Sequence, residues 1–590
     1  MRAIAFAASI ALALAAACSG TAPPRTTREL SVTERHQAFA ELEGRFLYGF
    51  FAGAPTEATR AGDHHFDAAW PDVSEAGQAA RRAFLDQTLR ELAVVDRDHL
   101  DAQDRIDAAI IENTARYMAF ELDERAPWER DPMAYTTLLG DGLDPLVTRT
   151  FAPPEARAAD LRARLRGVPA IVEVAKKRLG ARAPAVATET AMRQAQGLVD
   201  LCEHDLGAMF PTLGDADKAP LFEAASAAAA SLRELADFLE KDLLPRSKGD
   251  FRLGRALFEK KLRFELDDAV DVDAIAKGAR ELLTKTQGEM FDTAKQAWPV
   301  VAPGQPMPAT GDAHEQRAFV RRVLDLVAAR HPTNATIVGD AKTWLDKATK
   351  FVAEHQLVTL PKEPCGVIEM PEYRRGFSVA YCDASGPLEQ KPETFFAIAP
   401  TPADWPAPRV DSFYREYNAS MLADLTVHEA MPGHFLQLMH NNRFPSKLRG
   451  VLASGSFVEG WAVYAEWLMS KHGFGGPEVT LMRQKMVLRL SVNALLDHGV
   501  HAGNMSEKEA IDLMMNDAFQ EEGEAVGKWR RARLSSAQLT TYYYGFTEMM
   551  KLRAAAEQRA GAGHFDERAY HDRLLSFGSP PPRYMRALMY

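Results

Sequence analysis

Cysteine is scarce in this chain, with four in 590 residues, at positions 18, 202, 365 and 382. Thiols so scattered do not make a zinc site of the cysteine-rich kind, whose ligands come in close pairs. A surplus of positive charge is missing as well. Asp and Glu number 81 against 70 Lys and Arg, for a net charge of −11, a balance that favours solubility and is not built to bind nucleic acid. There is no glycine-rich phosphate loop, no internal repeat and no long low-complexity tract beyond alanine-rich helical stretches. Proline-rich pieces are short, at 299–308, 400–408 and 579–583. Long apolar runs are absent too: the best one follows Met1-Arg2 and ends at Ala15-Ala16-Ala17-Cys18, short of the about 20 residues that a membrane-spanning helix needs.

That N-terminal run has the form of a bacterial export signal, a short apolar segment with small residues before a Cys. It resembles a lipoprotein signal in which residues 1–17 are removed and Cys18 becomes the lipidated first residue. Simple cleavage and secretion is the alternative. Residues 18–30, rich in Ser, Thr, Pro and Arg, then form a flexible tether, and the expected location is the periplasm, anchored by lipid to the membrane, with the outer membrane favoured. In that oxidising compartment Cys365 and Cys382 flank the strand-like segments and are candidates for a disulfide across a hairpin, leaving Cys202 as a buried thiol.

What is present is mostly helix. Residues 76–126, 155–182, 186–207, 215–243, 272–296 and 312–355 space Leu, Ala, Val and Ile at helical intervals with charges between. Strand signals are few, the best at 366–370, 376–381 and 394–399, separated by turn residues, as in a small antiparallel sheet. The fold class expected is therefore mainly α-helical with a small antiparallel β-sheet. A boundary near residue 360 divides a helical N-terminal half, 31–360, from a catalytic half, 361–590, packed around a central cleft. The segment 394–399 stands as an edge strand on which an extended substrate could pair.

Directly after the strands comes the most informative stretch, His428-Glu429-Ala430-Met431-Pro432-Gly433-His434, followed by Glu459-Gly460-Trp461 and Glu466. Two imidazoles and three carboxylates in this order suit a hydrolytic metal site, which needs three protein ligands, an open position for water and a base beside it. In the usual H-E-x-x-H helix the two His are four apart and share a face. Here they are six apart, about 240° around a regular helix, and so on the wrong face. Pro432, which lacks an N–H, and Gly433, which accepts unusual backbone angles, are expected to break or bulge the helix and return His434 to the metal. The third ligand is assigned to Glu459. Glu429 is the general base, and Glu466, seven residues on from Glu459 and on the same helix face, orients a ligating His or is an ordinary paired Glu. Two His and a carboxylate suit one Zn²⁺ per chain without excluding Mn, Co or Fe.

The H-E-x-x-P-G-H segment and Phe457-Val458-Glu459-Gly460-Trp461-Ala462, continuing to Tyr464 and Glu466, resemble the bacterial family known as domain of unknown function 885, itself similar to gluzincin metallopeptidases. Weaker matches are Arg105-Ile106-Asp107, Leu243-Leu244-Pro245-Arg246 and Phe251-Arg252-Leu253-Gly254 towards the N-terminus. Gln538, Tyr542, Gly545, Leu552-Arg553, Tyr570-His571-Asp572 and Gly578 extend the likeness to the C-terminus, so that it covers about residues 30 to 590. The resemblance implies a zincin-like helical architecture and a zinc-dependent peptidase or related amide hydrolase. It departs at Asp383-Ala384-Ser385-Gly386-Pro387-Leu388, where the family usually carries an Arg beside a Pro-Gly turn. For the oxyanion, where one donor can contribute a few kcal/mol, Tyr542 and His501 fall at family positions; each could equally be a buried, hydrogen-bonded structural residue. Arg553 could meet a substrate carboxylate in bidentate fashion or tie helices together.

The reading that results is a membrane-tethered periplasmic zinc peptidase acting on peptide substrates. Its rivals are a metal-binding lipoprotein without catalysis and a zinc hydrolase of another amide or ester bond. The presence of Glu429 weighs against a purely structural metal, which would close its fourth position and have no use for a base.

Overall fold

In the computed structural model, residues 31–370, 379–390, 392–402 and 405–590 are described. The expected predominance of helix is observed. The span 76–126 is split by a turn into Glu75–Ala93 and Ala102–Phe120, and 312–355 into Ala313–Ala328 and Ile337–Glu354. Many helices carry a side-chain cap at the N-terminus: Ser31, Ser74, Asp101, Asp271, Asp312 and Asn418 each accept from backbone N–H groups of the first turn. No helix among the described residues is long and apolar enough to cross a membrane. The segment 1–30, with Cys18, lies outside the described residues.

The sheet has three strands, β1 (Cys365–Glu369), β2 (Ala380–Asp383) and β3 (Thr394–Ile398), in the order β1-β3-β2. It is mixed rather than antiparallel: β2 and β3 form an antiparallel pair, and β1 docks parallel on the far side of β3. Period-2 patterning and turn residues mark strands but do not encode which edge each one takes. Two expectations are corrected by this order. β3 is the central strand, paired on both edges, so it has no free edge on which a substrate could lie; β1 and β2 are the two outer strands among the described residues, and β2 is the one beside the cleft. And Cys365 and Cys382 sit on the two outer strands, which β3 keeps about two strand spacings, or roughly 9–10 Å, apart, beyond the ~7 Å Cα separation that a disulfide can bridge. Both are free thiols, and burial pushes the Cys365 pKa up to about 12.

The apolar core does not divide at residue 360. One core takes in Phe39 and Phe46, the helices Val272–Val301 and Ile337–Glu354, Phe396 of β3 and the helices of the back half out to Met589. The helix Val272–Val301 packs along Gly476–His501, which welds the two halves. A second core belongs to Pro132–Thr148, Pro154–Arg178, Ala185–Asp200 and Asp215–Phe238. The seam between front and back is also held by Arg449, fully buried, whose guanidinium donates to Asp107 at 2.5 Å and to the carbonyls of Phe577 and Gln103. This gives Asp107 and Gly578 a structural reason: Gly578 has φ 74°, and a Cβ there would lie 3.1 Å from Arg449 Cβ. A cleft of about 1770 Å³ runs between the two cores, lined from one side by Thr136, Asp141 and Gln194 and from the other by His428, Glu429 and Tyr542.

Candidate metal centre

The site is built on a broken helix. Asn418 caps Ala419–Glu429, a buried segment that carries His428 and Glu429 at its last two positions. The chain then leaves helical geometry at Ala430 and turns through Met431, Pro432 (preceded by a cis peptide) and Gly433 before His434 opens the helix His434–Asn441. The turn is closed by Met431 N–H donating to the Thr426 carbonyl and by Gly433 N–H donating to that of Val427 at 2.9 Å. Trp461 Nε1 donates to the Pro432 carbonyl at 2.8 Å and fixes it from the neighbouring helix. At Gly433 the approach is so close that a Cβ would stand 1.9 Å from the His428 carbonyl oxygen and 2.3 Å from that of Val427. No other residue fits there without moving the backbone.

This turn returns His434 to His428. Their ring centroids are 4.7 Å apart with planes at 86°, and the Nε2 atom of each lies 3.6 Å from Glu459 Oε2. One ligand atom from each of the three residues lies within 4.8 Å of the others. Metal–ligand bonds of about 2.0–2.2 Å in a tetrahedral arrangement set ligands roughly 3.3–3.5 Å apart, so little adjustment is needed. The donor set itself fits a cation: Glu459 Oε2 is buried with no hydrogen-bond partner among the described residues. A buried carboxylate oxygen in that state is costly unless a positive charge faces it. Burial works against the Glu459 charge, yet the two imidazoles hold its pKa below the ordinary carboxylate range. Conversely, burial opposes protonation of His428, but Glu459 and Glu466 raise its pKa well above the usual value. The centre is a negative pocket that calls for positive charge.

The helix that brings Glu459, Gly455–Lys471, crosses Thr540–Ala560 at two glycines. A Cβ on Gly460 would meet the Gly545 backbone at 2.5 Å, and one on Gly545 the Ser456 carbonyl oxygen at 2.0 Å. This contact sets Tyr542 beside Glu459. Asp497 anchors the start of the second helix by accepting from the N–H groups of Ala537 and Thr540 and from the Thr540 hydroxyl. Burial and the Glu459 charge raise the Tyr542 pKa, so the phenol stays protonated and can donate.

Glu466 lies where a His-orienting carboxylate must be: Oε1 accepts from His428 Nδ1 at 2.6 Å and leaves Nε2 to face the centre. Behind it stand Asp424 and Arg483, buried and electrostatically linked to Glu466. Asp424 precedes His428 by four residues on one helix face; that spacing could have flagged it. His434 has no such support, since its Nδ1 is buried without a partner among the described residues. Glu429 is half-buried and its Oε2 accepts from Cys382 N–H of β2 at 2.9 Å, which ties the candidate base to the sheet edge.

Two candidates are not brought to the centre. His501 points its Nε2 at the carbonyls of Ala532 and Ser535, at 2.9 and 2.8 Å, and stacks on Phe258. Burial lowers its pKa to about 4, so it is a neutral structural histidine. Arg553 is engaged by the Tyr464 hydroxyl, Glu557 and Glu567 and lies against Trp467 and Phe565. It ties helices and has no open face for a substrate carboxylate. In the segment 383–388, where an Arg was missing in sequence, an arginine arrives from a distance: Arg149 donates to the Asp383 carboxylate at 2.6 Å and to the Ala384 carbonyl.

A family model described as a bacterial protein of unknown function, DUF885, matches residues 55–589. The chain belongs to the DUF885 family. The match takes in both site helices and the glycine crossing. Among solved structures, a proposed lipoprotein of unknown function from Shewanella oneidensis is 31% identical, with 93% of this chain and 99% of that chain covered at a TM-score of 0.78. A proposed lipoprotein from Colwellia psychrerythraea is 17% identical, with 94% and 98% covered at a TM-score of 0.77, a likeness of fold. No curated protein matches.

Proposed function

We propose that this DUF885 protein is a zinc-dependent peptidase, tethered by lipid at Cys18 on the periplasmic side of the membrane. The observation that carries the reading is the convergence of His428, His434 and Glu459 on one point, with the Glu459 oxygen lacking any other partner among the described residues and Glu429 adjacent. These three residues would hold the ion. When bound, it would polarise a carbonyl and make water acidic enough to serve as nucleophile at neutral pH. Glu429 then accepts the water proton at a carboxylate oxygen and passes it to the leaving nitrogen. Tyr542, protonated and beside Glu459, donates its phenolic proton in a hydrogen bond to the oxygen on which charge develops. The substrate backbone lies along β2. Its residues Ala380 and Cys382 turn their peptide groups away from β3, as the Cys382 N–H reaching Glu429 illustrates. The tether is supported by the N-terminal signal pattern and by the description of the 31% identical Shewanella oneidensis protein as a proposed lipoprotein.

The test compares wild type with Glu429→Gln for metal content by mass spectrometry and for turnover of a mixed peptide library. Zinc at about one per chain in both, with turnover reduced about 10²-fold or more in the variant, is expected for loss of a positioned base. Absence of metal from both proteins overturns the site; metal in both with cleavage by neither favours a non-catalytic binding protein.

A further inference from the structure

We infer that Lys528 and Arg531, on the cleft side of the helix Glu522–Leu534, form a carboxylate-binding subsite for the peptide substrate. The inference rests on the peptidase reading and specifies which peptides the same cleft takes.

Lys528 is only 7% exposed yet lines the cleft, and among the described residues no carboxylate pairs with it. An ammonium so buried is costly without a counter-charge. Two nearby acids pair with other cations. Glu524 pairs with Arg489, and Glu416 receives Lys485 Nζ at 2.7 Å. Burial, together with the positive charges of Arg489 and Arg531, depresses the Lys528 pKa well below its usual value, with Glu416 opposing only in part. An arriving carboxylate would supply the charge that the protein leaves out.

Arg531 is three residues on from Lys528 and therefore on the same helix face. It makes no ion pair among the described residues and donates to Gln538 Oε1 at 2.8 Å, which leaves the rest of its planar fork for a bidentate carboxylate contact. It also joins the subsite to the chemistry. Arg531 lines the same cleft as Tyr542 and acts on its phenol electrostatically, as the Glu459 charge does. Lys528, Arg531 and Tyr542 thus line one cleft together with His428 and Glu429, so a carboxylate held by the cations belongs to the substrate bound at the centre. The carboxylate could be the free C-terminus of the peptide or an Asp or Glu side chain close to the cleaved bond; both present the same group.

The test is calorimetric binding to the full zinc-loaded chain carrying Glu429→Gln, so that nothing is turned over. Three peptides are compared: tetraalanine with a free C-terminus, the same peptide as its C-terminal amide, and Ala-Ala-Glu-Ala amide. At least one of the two acids should bind ten times or more tighter than tetraalanine amide; which one does so assigns the source of the carboxylate. Lys528→Met and Arg531→Gln should each abolish that preference and leave the amide's affinity unchanged. Arg531 is exposed, so its variant tests the idea even if the buried Lys528→Met fails to fold. Equal affinities for acid and amide, no binding of any peptide, or a preference that survives Arg531→Gln overturns the inference. Cleavage by wild type without the acid preference sinks the subsite alone, whereas an acid preference without cleavage leaves the subsite standing and removes the peptidase reading.

Discussion

Gly433→Ala is the substitution on which the site's geometry is most exposed. The added Cβ would lie 1.9 Å from the His428 carbonyl oxygen, whereas real Cβ atoms essentially never come within 3.0 Å of another heavy atom, so the two strands of the turn must part by about 1.1 Å. The obstacle is backbone on both sides, and Trp461 holds the Pro432 carbonyl in place, so the strain falls on the link between His428 and His434. A metal site tolerates about 0.2 Å of error in its ligand distances. His434 is therefore lost as a ligand. If three ligands share a binding free energy of roughly 10 kcal/mol, the loss of one costs about 3 kcal/mol, or on the order of 100-fold in affinity. The assay is competition for zinc against a chromophoric chelator, with circular dichroism to check that the helical fold persists. Gly455→Ala, in the helix that carries Glu459 but with nothing within 4 Å of its Cβ, is the matched control and should bind zinc as wild type does. A Gly433→Ala protein whose zinc affinity stays within threefold of wild type would refute the argument that this turn creates the site.

Other outcomes follow from the same structure. Glu466→Gln weakens the charge-assisted bond to His428 Nδ1 and should lower zinc affinity by about 10–100-fold without unfolding the chain, read by the same competition. His501 and His571, buried and neutral with pKa values lowered to about 4, are protonated in the unfolded chain from about pH 6.5 downwards. Because the unfolded state then binds more protons, each contributes a fall in stability of about 1.4 kcal/mol per pH unit between 6.5 and 4. Denaturant titrations at pH 7, 6 and 5 should show that slope, and His501→Gln should reduce it by about one such increment; a pH-independent midpoint would count against both assignments. Thiol titration of the denatured, unreduced chain after export should find Cys202, Cys365 and Cys382 all reactive, and a mass loss of two hydrogens between Cys365 and Cys382 would contradict the observed strand order.

The sequence by itself carried the helical class, because 3.6-residue spacing of apolar side chains is a local property. It also carried the convergence of His428, His434 and Glu459 and the need for a break between His428 and His434, because a six-residue spacing is incompatible with one helix face and Pro432-Gly433 supplies the means. Glu466 was legible for the same reason, as a carboxylate in an apolar helix seven residues from Glu459. What was not legible depended on pairings between distant segments. Strand direction in the sheet turned on which edge β1 takes, and with it went the free edge and the separation of Cys365 from Cys382. His501 and Arg553 matched by position, yet position does not say which carbonyl or carboxylate lies opposite a side chain: Ala532 and Ser535 claim the first, Glu557 and Glu567 the second. The glycine crossing at 460 and 545 needed two helices brought together from 85 residues apart before either glycine had a purpose. Only the tertiary structure decided that Arg149 reaches Asp383 and that Lys528 is buried with no carboxylate paired to it among the described residues, since burial and charge pairing are properties of the folded surface and not of any single stretch of chain.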